Sequence, residues 1–340
     1  MSRHIIKTPG LGLSALALSG ASLLLASCGT SPVALSAEGQ PSLSLDTPLT
    51  TVSCTTTGAC IALGASGSSN APTTGAQVRN HRGDWSALNV PTASLASFYD
   101  SACAATTCFF GGTQSTGDLL WSINANTGAV AILKSPANGL VNRNLSCASD
   151  TECTTIDQAA NNLTRLSSTS DAGVTWSAPR TLAWAANKTT ALDCPSAKHC
   201  YVATTSTRHV VTLRETIDAG ATWDVVATPR TWTSLASVYC TTTCTALVST
   251  AAGSAVVTQS KLTWKETPLT FTASFMACES TTTCLVVGRL PGETPAMAQW
   301  RASGAHAATL TYVPSPLTDV ACAPTVCVAI GVTTVVALRP

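Results

Sequence analysis

Short apolar runs separated by small polar turns recur along the chain at the length of β-strands. Within residues 189–231, one apolar run ends at Cys194, a second begins at Tyr201, and two more occupy 210–213 and 224–226. Runs of this length, bounded by Ser, Thr, Asp and Gly, predict four antiparallel strands joined by short connections. The segment therefore has the composition of one four-stranded sheet.

The cysteines repeat with the same period as this strand pattern. Fourteen of the fifteen cysteines form seven close pairs: Cys54/Cys60, Cys103/Cys108, Cys147/Cys153, Cys194/Cys200, Cys240/Cys244, Cys278/Cys284 and Cys322/Cys327. Their first members lie 49, 44, 47, 46, 38 and 44 residues apart, a period near those of the WD and kelch repeats that form propeller blades. We predict an all-β chain in which residues 41–340 form a seven-bladed β-propeller of four-stranded antiparallel blades.

A cysteine pair alone is compatible with a zinc site, with thiol chemistry or with a disulfide. Here one cysteine ends a strand and the other begins its neighbour, so the two face each other across a hairpin, within disulfide range. Zinc sites prefer two-residue spacings with further ligands nearby, whereas three to five residues separate these cysteines and the five histidines do not follow the pairs. We therefore predict seven disulfides, each within one blade, and no metal or other cofactor.

The seventh blade is one strand short on this count. Only thirteen residues follow Cys327, enough for apolar runs at 328–330 and 335–338. Upstream of the first pair, residues 42–45 alternate polar and apolar side chains as an exposed strand does. We predict that this N-terminal strand completes the seventh blade, which ties the two ends of the domain together and removes an open sheet edge.

The first 28 residues have the pattern of a secretory leader. A basic start containing Arg3 and Lys7 precedes an apolar stretch over 11–25, and Leu25-Ala26-Ser27-Cys28 follows. This resembles a bacterial lipoprotein signal peptide, whose motif ends in the cysteine that is lipidated. The resemblance implies a signal peptide over 1–27, lipidation of Cys28, a flexible tether over 28–40 and anchoring to the extracytoplasmic face of the cell membrane. An ordinary secretory signal and a short membrane anchor are the alternatives.

The charge balance bears on the partner class. Charged residues make up 10% of the chain, against about 25% in a typical soluble domain. The formal charge is +1, and it becomes −1 once Arg3 and Lys7 of the predicted signal are left out. Nucleic-acid-binding proteins present a basic surface, so we expect a nucleic acid not to be the partner. We expect a monomer.

Two segments share a motif with one another. They are TSDAGVTW (169–176) and TIDAGATW (216–223), and in both the Trp follows a cysteine pair by 23 residues. They resemble the Asp-box, or bacterial neuraminidase repeat, with motif residues Asp171, Gly173, Thr175, Trp176, Asp218, Gly220, Thr222 and Trp223. In this motif the carboxylate accepts backbone N–H bonds, the Gly permits positive φ and the Trp packs beside the strand. A calcium loop is the rival interpretation, but the alternating carboxylates that calcium requires are missing.

The turns sort into two faces if this strand order holds. Cysteine turns join the first and second strands and Asp-box turns join the third and fourth, so both lie on one face, and we expect ligands on the other face. There Arg180, Arg208, His209 and Arg230 fall in turns and links, and together they form a candidate basic patch for an anionic ligand such as a glycan or a carboxylate. Solvated loop arginines are the plainer interpretation.

The Asp-box occurs in sialidases, so a sialidase-like glycoside hydrolase is one hypothesis. A sialidase-type site resembles three arginines around a carboxylate, a Tyr–Glu nucleophile pair and an acid/base Asp. The chain lacks the Arg-Ile-Pro signature of such enzymes and other hydrolase motifs, so we predict no catalytic residues. The repeat design is also similar to that of the Asp-box propellers that assist photosystem assembly, a likeness of fold that transfers no function. We expect a lipid-anchored binding or scaffolding protein with a protein or glycan partner.

Overall fold

The structure is a computed structural model of the 340-residue chain. It describes residues 48–66, 73–80, 82–90, 97–114, 117–134, 141–158, 164–182, 184, 188–261, 263–302, 311–312, 316–331 and 335–338. The predicted signal peptide, Cys28, the tether and the strand predicted over 42–45 lie outside the described residues. They stay predictions.

The described residues form 27 strands in seven groups. The first three groups are β1 (Thr51–Cys54), β2 (Cys60–Ser66), β3 (Thr73–Arg79), β4 (Trp85–Ala87); β5 (Ser97–Cys103), β6 (Thr107–Gln114), β7 (Gly117–Asn124), β8 (Val130–Lys134); and β9 (Val141–Cys147), β10 (Cys153–Gln158), β11 (Thr164–Thr169), β12 (Arg180–Thr181). The next two are β13 (Lys188–Ser196), β14 (His199–Thr205), β15 (Val211–Thr216), β16 (Asp224–Val226); and β17 (Trp232–Cys240), β18 (Cys244–Thr250), β19 (Gly253–Ser260), β20 (Thr263–Pro268). The last two are β21 (Thr272–Ser280), β22 (Thr283–Arg289), β23 (Pro295–Arg301), β24 (Thr311–Tyr312); and β25 (Leu317–Ala323), β26 (Val326–Gly331), β27 (Val335–Leu338).

Each group is one antiparallel sheet whose strands pair in chain order. Six sheets have four strands, and the seventh has three among the described residues. The first strands contact one another in the order β1, β5, β9, β13, β17, β21, β25 and back to β1. The sheets therefore close into a ring with their first strands at the centre, and the predicted seven-bladed β-propeller is confirmed. No α-helix occurs in the described parts of the chain, and so none there could cross a membrane.

The hydrophobic core lies between neighbouring blades. The second strands are buried on both faces, as in β18 and β26, because each blade packs against two neighbours. The layer between the fourth and fifth blades, for example, contains Leu213, Trp232 and Val248. The outermost strands β16 and β20 are mainly exposed. This gradient explains why the inner strands carry the apolar runs that the sequence shows.

The seven predicted disulfides are confirmed. Each links the first strand of a blade to its second strand, with Cα–Cα distances of 3.9–4.1 Å. The disulfides therefore close the seven inner hairpins on one face of the ring, which we call the cysteine face. The opposite face, with the turns between second and third strands, is the linker face. The bonded pairs are Cys54–Cys60, Cys103–Cys108, Cys147–Cys153, Cys194–Cys200, Cys240–Cys244, Cys278–Cys284 and Cys322–Cys327.

The second cysteine does not begin its strand in four of the blades, and the sequence prediction is wrong there. The strand begins one residue earlier, because the preceding residue already pairs with a neighbouring strand. The ladder thus reaches further into the turn than the apolar run does. The cysteines concerned are Cys108 in β6, Cys200 in β14, Cys284 in β22 and Cys327 in β26.

All four of these cysteines are also buried, although the sequence pattern predicts them at the edge of a polar turn. The exposed fraction is 0% for Cys108, 2% for Cys200, 0% for Cys284 and 4% for Cys327. Cys108 and Cys284 pack in the apolar layers between blades. A buried sulfur that is bonded to a second sulfur is closed to a ligand, so these residues hold the fold and form no part of a site open to solvent.

The strands of the fourth blade differ in their limits from the sequence prediction. The fourth strand spans 224–226 as predicted, but the third runs from Val211 to Thr216 rather than over 210–213. The first strand continues past Cys194 to Ser196. Pairing with β14 extends both strands, because ladder hydrogen bonds hold polar residues that show no apolar signal.

Candidate functional site

The two Asp-box-like segments form turns between the third and fourth strands of their blades. In the fourth blade, Asp218 Oδ1 accepts the Thr222 backbone N–H at 2.8 Å, and Asp218 Oδ2 accepts the Thr222 hydroxyl at 2.6 Å. The Thr216 hydroxyl donates to Asp218 Oδ1 at 2.8 Å. These bonds, those from Thr222 first, lower the pKa of Asp218 to about 2. The Asp218 carboxylate therefore stabilises the turn through these hydrogen bonds.

The turn of the third blade repeats this geometry. Asp171 accepts the Thr175 N–H at 2.9 Å and the Thr175 hydroxyl at 2.5 Å. Gly173 has φ +81°, and a Cβ there would lie 2.8 Å from a methyl group of Leu133 in the neighbouring blade. Only glycine combines this backbone conformation with so close an approach. The residues of the Asp-box-like segment therefore position a turn against the preceding blade.

Both Asp-box-like turns lie on the cysteine face. The Ala172 N–H donates to Thr151 O at 3.0 Å, and the Ala219 N–H donates to Lys198 O at 2.9 Å. Thr151 and Lys198 belong to the cysteine turns of the same blades. The shared face follows from the strand order, as the sequence analysis expects.

The two motif tryptophans have different surroundings. The Trp223 Nε1–H donates to Gly220 O at 3.1 Å, and its ring meets Trp184 edge to face at 4.9 Å between centroids. Trp176 packs against the layer between the second and third blades, and its buried Nε1 has no partner within the described structure. The two turns are thus alike in backbone and different in side-chain contacts.

A channel of about 810 Å³ runs along the ring axis between the seven first strands. It extends from the cysteine face, where Pro195 and Pro324 lie, to the level of Thr190 and Phe275. Its wall is rich in hydroxyl groups and holds four carboxyl groups, which belong to Asp100, Asp193, Glu279 and Asp319. The described residues that line it include no Lys, Arg or His.

Side chains of the channel wall link five of the first strands to the first strand of the next blade. Backbone N–H groups of the following blade donate to three carboxylates: Leu145 to Asp100 at 2.5 Å, Cys240 to Asp193 at 2.6 Å and Val52 to Asp319 at 2.9 Å. Two serines do the same: Ser146 accepts from Cys194 at 2.9 Å, and Ser237 accepts from Met276 at 3.3 Å. The first strand is the free inner edge of each sheet, so its unpaired N–H groups need such acceptors.

The three aspartates that line the channel have pKa values above the ordinary value of 3.8 for an Asp side chain. Burial raises the pKa of Asp100 to about 7, that of Asp193 to about 7 and that of Asp319 to about 6. The bonds from backbone N–H groups oppose the rise in all three, and the negative charge of Asp319 adds to it at Asp100. The hydrogen bonds from the backbone therefore compensate only part of the solvation that the ionised carboxylates lose on burial.

We expect the propeller to be more stable at pH 5 than at pH 8. A carboxyl group whose folded pKa lies above its unfolded value of 3.8 binds its proton more tightly in the folded state. Stability therefore falls as pH rises from about 4 to about 7. Thermal melting followed by circular dichroism at the two pH values should show the higher midpoint at pH 5.

The Asp193→Asn variant should weaken this pH dependence. It removes one of the three titrating groups while keeping an amide oxygen for the Cys240 N–H. Asp224→Asn, on an exposed outer strand, serves as the control and should keep the dependence of the unmodified protein. A midpoint that is equal at both pH values, or higher at pH 8, would contradict this interpretation.

A second polar cluster lies between the fourth and fifth blades near the cysteine face. The Tyr201 hydroxyl donates to Glu215 Oε1 at 2.7 Å, and His199 Nε2 lies 2.7 Å from the same oxygen. Burial first, and Glu215 second, raise the pKa of Tyr201 above its ordinary value. The sequence pattern predicts Tyr201 only as a strand residue, and the structure adds its pairing with Glu215.

The candidate basic patch is spread over the linker face. Arg180, Arg208, His209 and Arg230 are all exposed, and none of them lines the central channel. His209 has φ +58° in the turn between β14 and β15. The structure shows no contact that brings these four side chains together, and the patch stays a prediction. In the described chain, no three or more His, Cys, Asp or Glu side chains are grouped to hold a metal ion.

The sequence pattern did not identify the three aspartates of the channel wall as functional residues. Asp100 and Asp319 stand three residues before the first cysteine of their blades, and Asp193 stands directly before its cysteine. Aligning the repeats on the first cysteine would have shown acidic residues recurring at the inner strands. Only the closed ring shows that they bond to the neighbouring blade.

No family model and no curated protein matches the chain. Among solved structures, a GH74 xyloglucanase from Xanthomonas campestris is 13% identical with a TM-score of 0.62, over 86% of this chain and 52% of that one. YCF48 from Cyanidioschyzon merolae is 9% identical with a TM-score of 0.59, over 89% and 98%. A chain of a mitotic checkpoint complex is 11% identical with a TM-score of 0.57, over 98% and 99%.

These similarities show the fold alone. The chain spans about half the length of the xyloglucanase that it resembles. An enzyme and non-enzymatic propellers stand side by side among the similar structures, so likeness of fold does not choose between catalysis and binding.

Proposed function

We propose that the chain is a lipid-anchored, extracytoplasmic β-propeller that binds a protein or glycan partner and catalyses no reaction on it. One observation carries the non-catalytic part of the proposal. The aspartates of the central channel are committed to backbone N–H groups of the next blade at 2.5–2.9 Å. Carboxyl groups held in this way bridge neighbouring blades and are poorly placed to transfer protons to a substrate.

The disulfides support an oxidising compartment. Seven cysteine pairs can persist as disulfides outside the cytoplasm, whereas cytosolic reductants would keep them as thiols. The pattern Leu25-Ala26-Ser27-Cys28 supports lipidation at Cys28. The proposed anchor would hold the cysteine-stapled ring at the outer surface of the membrane.

The channel is the proposed place of contact with the partner. Its volume of about 810 Å³ lies within the range of roughly 300–1,000 Å³ that is usual for ligand sites. Hydroxyl groups and four carboxyl groups line it, which favours a cationic or hydroxyl-bearing segment over an acidic one. The similar chain of the mitotic checkpoint complex belongs to a protein assembly, which fits a partner of this kind at the level of the fold.

Proximity labelling in the native host tests this proposal. Thr241→Trp places a bulky side chain at the channel mouth, and Thr207→Trp places the same side chain on the linker face; both positions are exposed. We expect the partner to be labelled by the unmodified protein and by Thr207→Trp, and to be lost with Thr241→Trp. Identical labelling by both variants, or no enriched partner, would refute binding at the channel.

A sialidase-like hydrolase is the second candidate, because the Tyr201–Glu215 pair resembles the nucleophile pair of sialidases. The raised pKa of Tyr201 makes its hydroxyl a poorer nucleophile. The non-catalytic proposal therefore predicts no turnover of a fluorogenic sialoside. Turnover that is lost in Tyr201→Phe would establish the hydrolase instead.

A further inference from the structure

A second cavity, of about 390 Å³, opens on the cysteine face between the third and fourth blades. Its lining includes Glu152, Thr154, Ser168, Ser170, Trp176 and Ser177. The Asp-box turn of the third blade forms one side, and the cysteine turn of the fourth blade forms the other. We call this cavity the interblade pocket.

The interblade pocket exists because the third blade carries small side chains where the fourth carries large ones. Thr154 pairs with Ser168 across β10 and β11, as Tyr201 pairs with Glu215 across β14 and β15. In each pair, the first residue directly follows the second cysteine of its blade, and the second residue directly precedes the first Thr of the Asp-box-like segment.

The residue before the second cysteine completes the equivalence, since it is Glu152 in the third blade and His199 in the fourth. In the fourth blade, His199 and Tyr201 each bond to Glu215 Oε1 at 2.7 Å, and the three side chains fill the space. In the third blade the same space is open.

The polar groups of the pocket are available to a ligand. The hydroxyl groups of Thr154, Ser168 and Ser170 make no hydrogen bond within the described structure, although they line the pocket. Each such hydroxyl can donate one hydrogen bond and accept two. The Ser177 hydroxyl accepts the Ser168 N–H at 3.0 Å and keeps its own proton for another acceptor. The wall therefore offers donors and acceptors side by side.

The remaining lining narrows the class of ligand. Glu152 supplies an acceptor, and it holds only a long bond of 3.4 Å from the Ser149 hydroxyl. The half-buried Trp176 supplies aromatic surface. The lining contains no Lys, Arg or His that would attract an anion. Groups that both donate and accept, next to an apolar ring face, complement a molecule with alternating hydroxyl and C–H groups.

We propose that the interblade pocket binds a neutral saccharide ring. Its volume lies within the usual range of roughly 300–1,000 Å³ for ligand sites. Hydroxyl groups of Thr154, Ser168 and Ser170 bond the sugar hydroxyls, Glu152 accepts from them, and Trp176 contacts the ring. The site lies beside the central channel, with Ala148 and Cys194 contributing to both walls. It goes beyond the proposed function, because a saccharide here does not require the channel to be occupied.

Saturation-transfer NMR on the disulfide-intact mature chain tests the proposal with five probes: glucose, galactose, mannose, N-acetylglucosamine and N-acetylneuraminic acid. We expect at least one of the four neutral sugars to give transfer and the acidic sugar to give none. The triple variant Glu152→His, Thr154→Tyr, Ser168→Glu copies the filled arrangement of the fourth blade. It should weaken binding at least about tenfold, because the hydroxyl bonds and the space are lost together.

A single rim substitution keeps the test valid if the triple variant does not fold. Ser170 and Ile217 occupy equivalent exposed positions before the Asp of the two turns. Ser170→Trp should reduce the transfer as the triple variant does, and Ile217→Trp should leave it unchanged. Transfer from none of the neutral sugars, transfer from N-acetylneuraminic acid alone, or transfer unaffected by Ser170→Trp would overturn the proposal. None of these results depends on labelling through the channel, so the two proposals fail separately.

Discussion

Reduction of all seven disulfides is expected to lower the midpoint of thermal unfolding by about 20 °C or more. Each disulfide closes a loop with a sequence separation of only 4–6. In the chain-entropy model such a loop contributes about 2 kcal/mol at best, and the seven contributions do not simply add. Even a partial sum is comparable to the whole stability of a domain, which is about 5–15 kcal/mol.

Differential scanning calorimetry of the oxidised protein, and of protein reduced and alkylated at every cysteine, measures this effect. Oxidised protein treated with the alkylating agent alone is the control, because it exposes the chain to the same reagent with its disulfides intact. A reduced midpoint within a few degrees of the oxidised one would show that strand packing alone holds the ring.

Gly288→Ala is expected to destabilise the propeller by about 3 kcal/mol or more. A Cβ at this position would lie 2.1 Å from Thr272 O and 2.7 Å from Ala273 Cα. Both are backbone atoms of β21, whose register shifts between Ala273 and Phe275, so they cannot rotate away as a side chain would. The added methyl group must therefore push the innermost strand of the sixth blade out of its place in the ring.

Gly292→Ala in the adjacent turn is the matched control for this substitution. Gly292 has φ +86°, and a Cβ there would meet nothing within 4 Å. The substitution should cost only the backbone strain of an Ala at positive φ, about 1 kcal/mol. Urea denaturation of the two variants measures the difference. Equal destabilisation would show that the inner strand yields to the added atom.

Most of the fold follows from periodic local signals. Cysteine pairs repeat once per blade, and a disulfide at the top of a hairpin also fixes which strands are neighbours. The blade count, the strand order and the cysteine face can therefore be derived from the sequence. Strand limits are less accessible: β13 begins at Lys188, β14 begins before Cys200 and β15 ends at Thr216, because partner strands hold polar residues in the ladder.

The candidate site was harder to predict, because it depends on contacts between blades. The bond from the Val52 N–H to Asp319 joins residues 267 positions apart, and it exists only when the last blade meets the first. The interblade pocket likewise arises because the side chains of Thr154 and Ser168 are smaller than those of Tyr201 and Glu215 at the equivalent positions. A single repeat contains no signal for either feature. Repeats compared position by position show the recurring acidic residues and the small side chains, but only the closed ring shows the contacts that they make.

Disulfide mapping of the unreduced mature protein tests the central claim most directly. Proteolysis without reduction, followed by mass spectrometry, should give seven crosslinked peptides, each joining the two cysteines of one blade, from Cys54–Cys60 to Cys322–Cys327. Free thiols at these positions, or crosslinks between different blades, would contradict a ring of seven separately stapled sheets.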